Sequence, residues 1–250
     1  MVNNVLDVIV ERLRPEVAAR KRRFPLAETD FPTVPSLRSA LPGVIAEVKK
    51  ASPSKGVIRA DFHPVELAME LAAAGAAALS VLTEPNYFLG DLGYLKDIAA
   101  QVDIPVLRKD FIFDEYQLLE ARHAGASAAL LIAAMLDAKR LAELTAYAHR
   151  IGLEVLGEAH NADELAILLD TPVDLIGVNA RNLQTFATDL GAVEKLLAQI
   201  PPDRCPVAES AIGNAGDLQR LSRAGAQGFL IGETLMRASS PGEKLRELQS

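Results

Sequence analysis

Four charged residues stand where apolar strand patterns run out: Glu47 and Lys49 in Val44-Ile-Ala-Glu-Val-Lys49, Lys109 in Ile104-Pro-Val-Leu-Arg-Lys109, and Glu158 in Leu153-Glu-Val-Leu-Gly-Glu158. Side chains on a strand alternate between faces, so Ile45, Glu47 and Lys49 share one side while Val44, Ala46 and Val48 share the other. The second face can pack against helices; the first carries a carboxylate beside an ammonium. Buried charges are costly unless paired or used. The loop Ser52-Pro-Ser-Lys-Gly56 follows and offers hydroxyls, backbone N–H groups and a cation to an anion such as phosphate. A lysine like Lys109 can serve as a general acid, a Schiff-base nucleophile or an ion-pair partner; an exposed loop lysine is the structural alternative. Glu158 can exchange protons, or simply pair with a nearby lysine.

Such a constellation needs a scaffold that brings distant strand ends together. Ala-Gly-Ala recurs at 74–76, 124–126 and 224–226, and Gly152 stands in a similar context, each glycine after a helical pattern and before an apolar run. Glycine just past a helix end is the expected left-handed cap, and the spacings approximate multiples of a strand-plus-helix unit of about 25 residues. The apolar runs predict strands near 44–49, 77–82, 105–109, 127–132, 153–158, 173–179, 206–210 and 227–231. Amphipathic patterns predict helices near 63–74, 114–124, 137–150, 161–169, 189–199 and 213–223, and a last one from about 241; residues 84–103 should hold a longer loop and a short helix. Strands alternating with helices are parallel. A closed barrel or an open doubly wound sheet would satisfy this, and the count of eight with its period favours the barrel. The expected fold is therefore α/β, a single (β/α)8 TIM barrel over residues 44–250. Residues 1–43 form a helical extension packed on it, within one structural domain. In that extension Val5–Leu13 reads as a helix capped by Asn4 and kinked or interrupted at Pro15, and Arg20-Lys-Arg-Arg23 suits a helix C-terminus.

In such a barrel the active site lies at the C-terminal ends of the strands. Besides Glu47, Lys49, Lys109 and Glu158, these ends hold Thr83-Glu84, Ala133, Asn179 with Arg181, Glu209-Ser210 and Gly232-Glu233. The short loops after the last two strands suit phosphate binding, with Ser210, Ala211, Gly232 and Glu233 contributing mainly backbone N–H groups and Ser52 completing the cradle. Phe111 and Phe113, with Tyr87-Phe88, are candidates either for core packing or for an aromatic pocket. His63, His123, His149 and His160 show no ligand spacing, and neither a Gly-x-Gly-x-x-Gly nor a Walker pattern occurs.

Composition narrows the classes. A chain of 250 residues, half of them hydrophobic, can bury one large core. With 33 acidic against 26 basic residues, the net charge of −7 argues against general binding to nucleic acid or anionic membranes. Cys205 is the single cysteine, so no internal disulfide forms, in keeping with a reducing cytoplasm. No run approaches the length of a membrane span, and no signal-peptide pattern opens the chain. A soluble cytoplasmic protein, monomeric or weakly dimeric, is expected.

These residues carry a resemblance. Ile45-Ala-Glu-Val-Lys-Lys-Ala-Ser-Pro-Ser-Lys-Gly56, Ser80-Val-Leu-Thr-Glu84, Pro105-Val-Leu-Arg-Lys-Asp-Phe111, Glu115-Tyr-Gln117, Glu154-Val-Leu-Gly-Glu158, Gly177-Val-Asn-Ala-Arg-Asn-Leu183 and Ala208-Glu-Ser210 resemble the blocks of the indole-3-glycerol-phosphate synthases, in order and spacing, over essentially the whole chain. The resemblance implies closure of 1-(2-carboxyphenylamino)-1-deoxyribulose 5-phosphate to indole-3-glycerol phosphate, with loss of CO2 and water, in tryptophan biosynthesis. It implies a small anionic sugar-phosphate substrate and no cofactor or metal. Lys109 would be the general acid; Lys49 would hold the anthranilate carboxylate and share the acid role. Glu158 would act in dehydration, and Glu47 would tune the two lysines. Asn179, Arg181, Glu209 and Ser210 would orient the substrate, while Ser52, Ala211, Gly232 and Glu233 surround the phosphate and Phe111 lines the pocket. The 50–58 loop, hinged at Gly56, would close over it.

Two residues depart from the family pattern: Ala211 stands where glycine is usual, and Asn182 where aspartate is commoner. The rivals are a phosphoribosylanthranilate isomerase, a Schiff-base aldolase using Lys109, and a non-catalytic sugar-phosphate binder.

Overall fold

The computed structural model describes residues 5–181 and 187–250. The strands are β1 (Gly43–Val48), the short β2 (Ala51–Ser52) and β3 (Gly56–Val57), then β4 (Ala78–Leu82), β5 (Val106–Lys109), β6 (Ala128–Ile132), β7 (Glu154–Ala159), β8 (Leu175–Asn179), β9 (Pro206–Glu209) and β10 (Gly228–Ile231). Setting aside β2 and β3, which pair with each other antiparallel, eight parallel strands run in sequence order around a barrel that β1 closes by pairing with both β4 and β10. The expected (β/α)8 barrel is therefore the fold.

Ten α-helices are described: α1 (Val5–Arg23), α2 (Pro64–Ala73), α3 (Leu92–Ala99), α4 (Glu115–His123), α5 (Ala138–Arg150), α6 (Ala162–Leu169), α7 (Leu190–Leu197), α8 (Ala215–Arg223), α9 (Glu233–Arg237) and α10 (Pro241–Leu248). Their starts follow from side chains able to accept a first-turn N–H: Asp91, Asp114, Asp137, Asn161, Asp189, Asn214 and Ser240 all do so. The repeated glycines Gly75, Gly125, Gly152 and Gly225 each take positive φ after a helix, as the repeat predicted. Among the described residues, no helix is long and apolar enough to cross a membrane.

The alternation in the strands divides the core in two. Val44, Ala46 and Val48 join the layer between barrel and helices. Ile45, Leu107, Leu130, Leu156, Leu175, Val207 and Leu230 fill the barrel, together with the buried Cys205. Leu37, from the segment before β1, is fully buried in the same cluster and plugs the end at which the strands begin. Ser36 Oγ donates to Glu154 Oε1 (2.6 Å) and the Arg38 N–H to Glu154 Oε2 (2.9 Å), which pins that plug to β7.

Helix α1 departs from expectation. It runs through Pro15 without a break. Proline removes one intrahelical bond, but Leu6, Ile9, Leu13 and Val17 bury one stripe on both sides of it and hold the two halves together. Asn4, the expected cap, lies outside the described residues. The basic run does end this helix, and it also reaches into the barrel wall: Arg20 pairs with Glu120 at 2.8 Å and Lys21 with Asp114 at 2.9 Å.

Glu120 also faces Arg108, which is only 2% exposed. Arg108 points outward from β5, its guanidinium 3.3 Å from Glu120 and 2.8 Å from Asp110 Oδ2. Thr83 Oγ1 donates to the same Asp110 oxygen at 2.6 Å. The two neighbours of Lys109 are thus locked into a buried network on the far side of the strand. Removing one member of a buried pair leaves a charge uncompensated, so Glu120→Ala is expected to cost about 3 kcal/mol. The check is a fall in the urea midpoint at unchanged slope.

Candidate active site

The inward face of the strands carries the charges to one end of the barrel. Glu47 follows Ile45 on β1, Lys109 follows Leu107 on β5, Glu158 follows Leu156 on β7 and Glu209 follows Val207 on β9, each two residues beyond an interior apolar side chain. They meet in a cavity of about 510 Å³, a volume suited to a small ligand. Lys49, Ser52, Phe111, Asn179, Arg181, Ser210, Ala211, Gly232 and Glu233 line it as well, so the residues that the family resemblance singled out line the same cavity, whereas Thr83, Glu84 and Ala133 at the other strand ends do not.

At its centre Lys109 Nζ donates to Glu158 Oε2 at 2.9 Å and lies 3.7 Å from Glu209 Oε2. Burial by itself would lower the lysine's pKa, but Glu158, Glu209 and Glu47 outweigh it and hold the ammonium charged well above its usual range. Burial would likewise raise Glu158; Lys109 and His160 overcome this and keep its carboxylate ionised. Glu209 goes the other way. Burial and the adjacent Glu158 charge raise it well above the normal carboxylate range, which favours its protonated form. Both Glu209 oxygens are buried and face Lys109 and Glu158. Lys49 forms a close ion pair with Glu47.

Backbone choices make room for these groups. A methyl at Gly232 would overlap the Glu47 carboxylate and reach 3.0 Å from Lys49 Nζ; one at Gly177 would overlap Glu209 Oε1. Asn179 Oδ1 accepts the Arg181 N–H at 3.0 Å at the C-terminal end of β8.

The expected phosphate end differs in detail. Ser52 lies on the β2–β3 hairpin, its hydroxyl 3.5 Å from that of Ser54. Glu233, expected to offer mainly its backbone, directs its carboxylate to Arg237 (3.0 Å), Arg181 (3.3 Å) and Lys55 (3.9 Å). Ser210 and Ala211 both adopt left-handed backbone, with φ of 67° and 61°. Ala211 thus holds the conformation for which glycine is the cheaper residue. Asn182 lies outside the described residues.

Other features were not foreseen. Leu6 and Ile9 of α1 line the cavity, so the N-terminal helix walls the site and does more than extend the barrel. Of the aromatics weighed for core packing or a pocket, Phe111 packs against Phe88 with ring centroids 6.0 Å apart, and both face the cavity. Glu84 turns away from the cavity and accepts the N–H groups of Asn86, Tyr87 and Phe88. His123 and His149 contact the Ala27 carbonyl and Asp174. His160, set aside on spacing, lies instead against Glu158 at 3.2 Å. Its signal was parity: it follows Glu158 by two positions and so shares its face.

Two outcomes follow from the backbone. Gly232→Ala is expected to lower turnover about 100-fold by displacing Glu47 and Lys49, at a stability cost of about 1–3 kcal/mol; a folded, fully active variant would show that the carboxylate has space to spare. Ala211→Gly is expected to stabilise the chain by up to about 1 kcal/mol in urea unfolding. Relief of ~1–2 kcal/mol of left-handed strain is partly offset by the freer unfolded chain.

A family model described as indole-3-glycerol phosphate synthase matches residues 6–248. The indole-3-glycerol phosphate synthase of Burkholderia multivorans is 46% identical over 261 residues, covering 99% of this chain and 99% of the relative. That of Halalkalibacterium halodurans is 49% identical over 252 residues, covering 98% of this chain and 96% of the relative. Among solved structures, a mutant tryptophan synthase alpha-subunit from Pyrococcus furiosus superimposes with a TM-score of 0.65 at 14% identity, over 84% of this chain and 98% of its own. A 3-hexulose-6-phosphate synthase does so with a TM-score of 0.66 at 14% identity, over 83% and 98%. Those two share the fold. With the family match running nearly from end to end and close to half of the aligned residues identical, this chain belongs to the indole-3-glycerol phosphate synthase family.

Proposed function

We propose that Lys109 is the general acid in the family's reaction, the decarboxylating and dehydrating closure of 1-(2-carboxyphenylamino)-1-deoxyribulose 5-phosphate to indole-3-glycerol phosphate. The observation that carries this is the Lys109 ammonium, buried and charged, 2.9 Å from an ionised Glu158 and 3.7 Å from Glu209. The substrate's ketone carbon must bond to the ring carbon that bears the carboxylate. Protonating the ketone oxygen drives that step, and a positioned acid typically contributes about 10²–10⁴ in rate.

Lys49 holds the substrate carboxylate until CO2 leaves, with Glu47 keeping its ammonium aimed into the cavity. The oxygen that Lys109 protonated, now a hydroxyl, takes a second proton from Lys49, which shares the acid role, and departs as water. Glu158, ionised at the outset, accepts a proton in this dehydration half. Glu209, its pKa raised by burial and by the Glu158 charge, orients the ribulose hydroxyls alongside Asn179. Arg181 steers the substrate's anionic end. Ser52, Ser210, Ala211, Gly232 and the backbone of Glu233 surround the phosphate, and Phe111 with Phe88 flanks the anthranilate ring. We place the enzyme in the cytoplasm, in keeping with a lone, buried Cys205.

The test follows indole fluorescence on incubation with the carboxyphenylamino-deoxyribulose phosphate. Lys109→Ala is expected to lower kcat by about 10²–10⁴, whereas Lys49→Ala raises KM more than it lowers kcat. Full turnover by Lys109→Ala would remove the acid from β5. A borohydride-trapped adduct on Lys109 would point to Schiff-base chemistry instead.

A further inference from the structure

His160 follows the last residue of β7 and is buried, its side chain 8% exposed. Nε2 lies 3.2 Å from Glu158 Oε1 and Nδ1 lies 3.0 Å from Glu164 Oε2. The same Glu164 oxygen accepts the His160 backbone N–H at 2.8 Å. Its other oxygen accepts the Asn161 side-chain amide at 2.6 Å, and Asn161 in turn caps α6. Glu164 is therefore fixed by the start of α6, and it grips His160 by ring and backbone together.

One ring nitrogen is hydrogen-bonded to Glu164, and the other stands 3.2 Å from Glu158 in ion-pair contact without an aligned hydrogen bond; an imidazole between two carboxylates is favoured as the imidazolium. Glu158 then has a cation at each oxygen, Lys109 on Oε2 and His160 on Oε1. We propose that His160, anchored on Glu164, is a positioning residue for Glu158, orienting its carboxylate toward Lys109 and preserving the negative charge that the chemistry starts from. This rests on Glu158 acting in proton transfer. The electrostatics agree: burial opposes the charge on His160, but Glu158 and Glu164 prevail and push its pKa up to about 10. The charged groups around the pair are Lys109 from β5, Glu209 from β9, Glu47 from β1 and Glu164 from α6. The two cations of Lys109 and His160 face the carboxyl groups of Glu158, Glu209, Glu47 and Glu164, of which Glu209 is shifted toward its protonated form.

Without the His160 cation Glu158 is easier to protonate. Its pKa rises, and the acid limb of kcat moves to higher pH. The expected result for His160→Asn is this upward displacement with KM nearly unchanged and kcat about tenfold lower, well short of the ~10²–10⁴ lost with a proton-transferring group itself. Glu164→Gln, which keeps the size and most of the capping contacts, is expected to move the limb in the same direction by less. An unmoved acid limb in both variants overturns the inference. Imidazole ¹⁵N shifts of the wild-type protein provide a readout independent of turnover and of variant folding. At about pH 8, where an unperturbed histidine is neutral, His160 is expected to be protonated at both nitrogens; a neutral tautomer there overturns the inference too. Failure of the underlying assignment looks different: Glu158→Gln would then turn over like the wild type, and the role of His160 would fall with it.

Discussion

A charged lysine inside a barrel mouth has to be compensated, and most of this molecule's local design follows from how Lys109 is. Moving an ammonium out of water costs several kcal/mol unless counter-charges are placed against it. Here Glu158 accepts one hydrogen bond from Nζ and is held ionised, while Glu209 sits a little farther away with its pKa raised by burial and by the Glu158 charge. A charged lysine, an ionised carboxylate and a carboxyl shifted toward its protonated form thus stand within a few ångströms, each biased by the others.

The scaffold around that cluster is built to two requirements, space and rigidity. Space comes from glycine at Gly177 and Gly232, where any side chain would occupy the volume of the Glu209 or Glu47 carboxylate. Rigidity comes from behind. Arg108 and Asp110 flank Lys109 and point the other way, into a buried network with Thr83 and Glu120 that reaches Arg20 of α1. His160 and Glu164 do the same for Glu158. Catalytic precision of this kind depends on the groups that hold the reacting ones, and alternate residues of one strand supply both tasks: one face carries the chemistry and the other anchors it.

The end of the cavity proposed for the phosphate is constructed differently. The cations there, Lys55, Arg181 and Arg237, are engaged with Glu233. Ser210 and Ala211 hold the strained turn after β9. Strain in such turns persists only where the surroundings impose it.

Local rules determined a great deal. Period-two alternation put Glu47, Lys109, Glu158 and Glu209 on the interior face, because an apolar residue two positions earlier fixes the side of the sheet. The recurring glycine and the Asp and Asn caps set the unit length, and eight such units imply closure. The residues that sequence reading passed over share a reason: their significance is a matter of partners distant in the chain. His160 was dismissed for lacking ligand spacing, yet its partners are a strand residue and a helix residue brought together by the β7–α6 turn. Arg108 reads as an ordinary polar flank until α4 covers it. Pro15 is tolerated because a buried stripe outweighs one lost hydrogen bond, and α9 is too short to leave a periodic trace. Sequence by itself therefore determined which faces and which ends of the strands bear charge, since that depends on neighbours along the chain. Only the tertiary structure decided which carboxylate is held down in pKa and which is pushed up, because ionisation in a buried site depends on desolvation and on charges contributed by other strands.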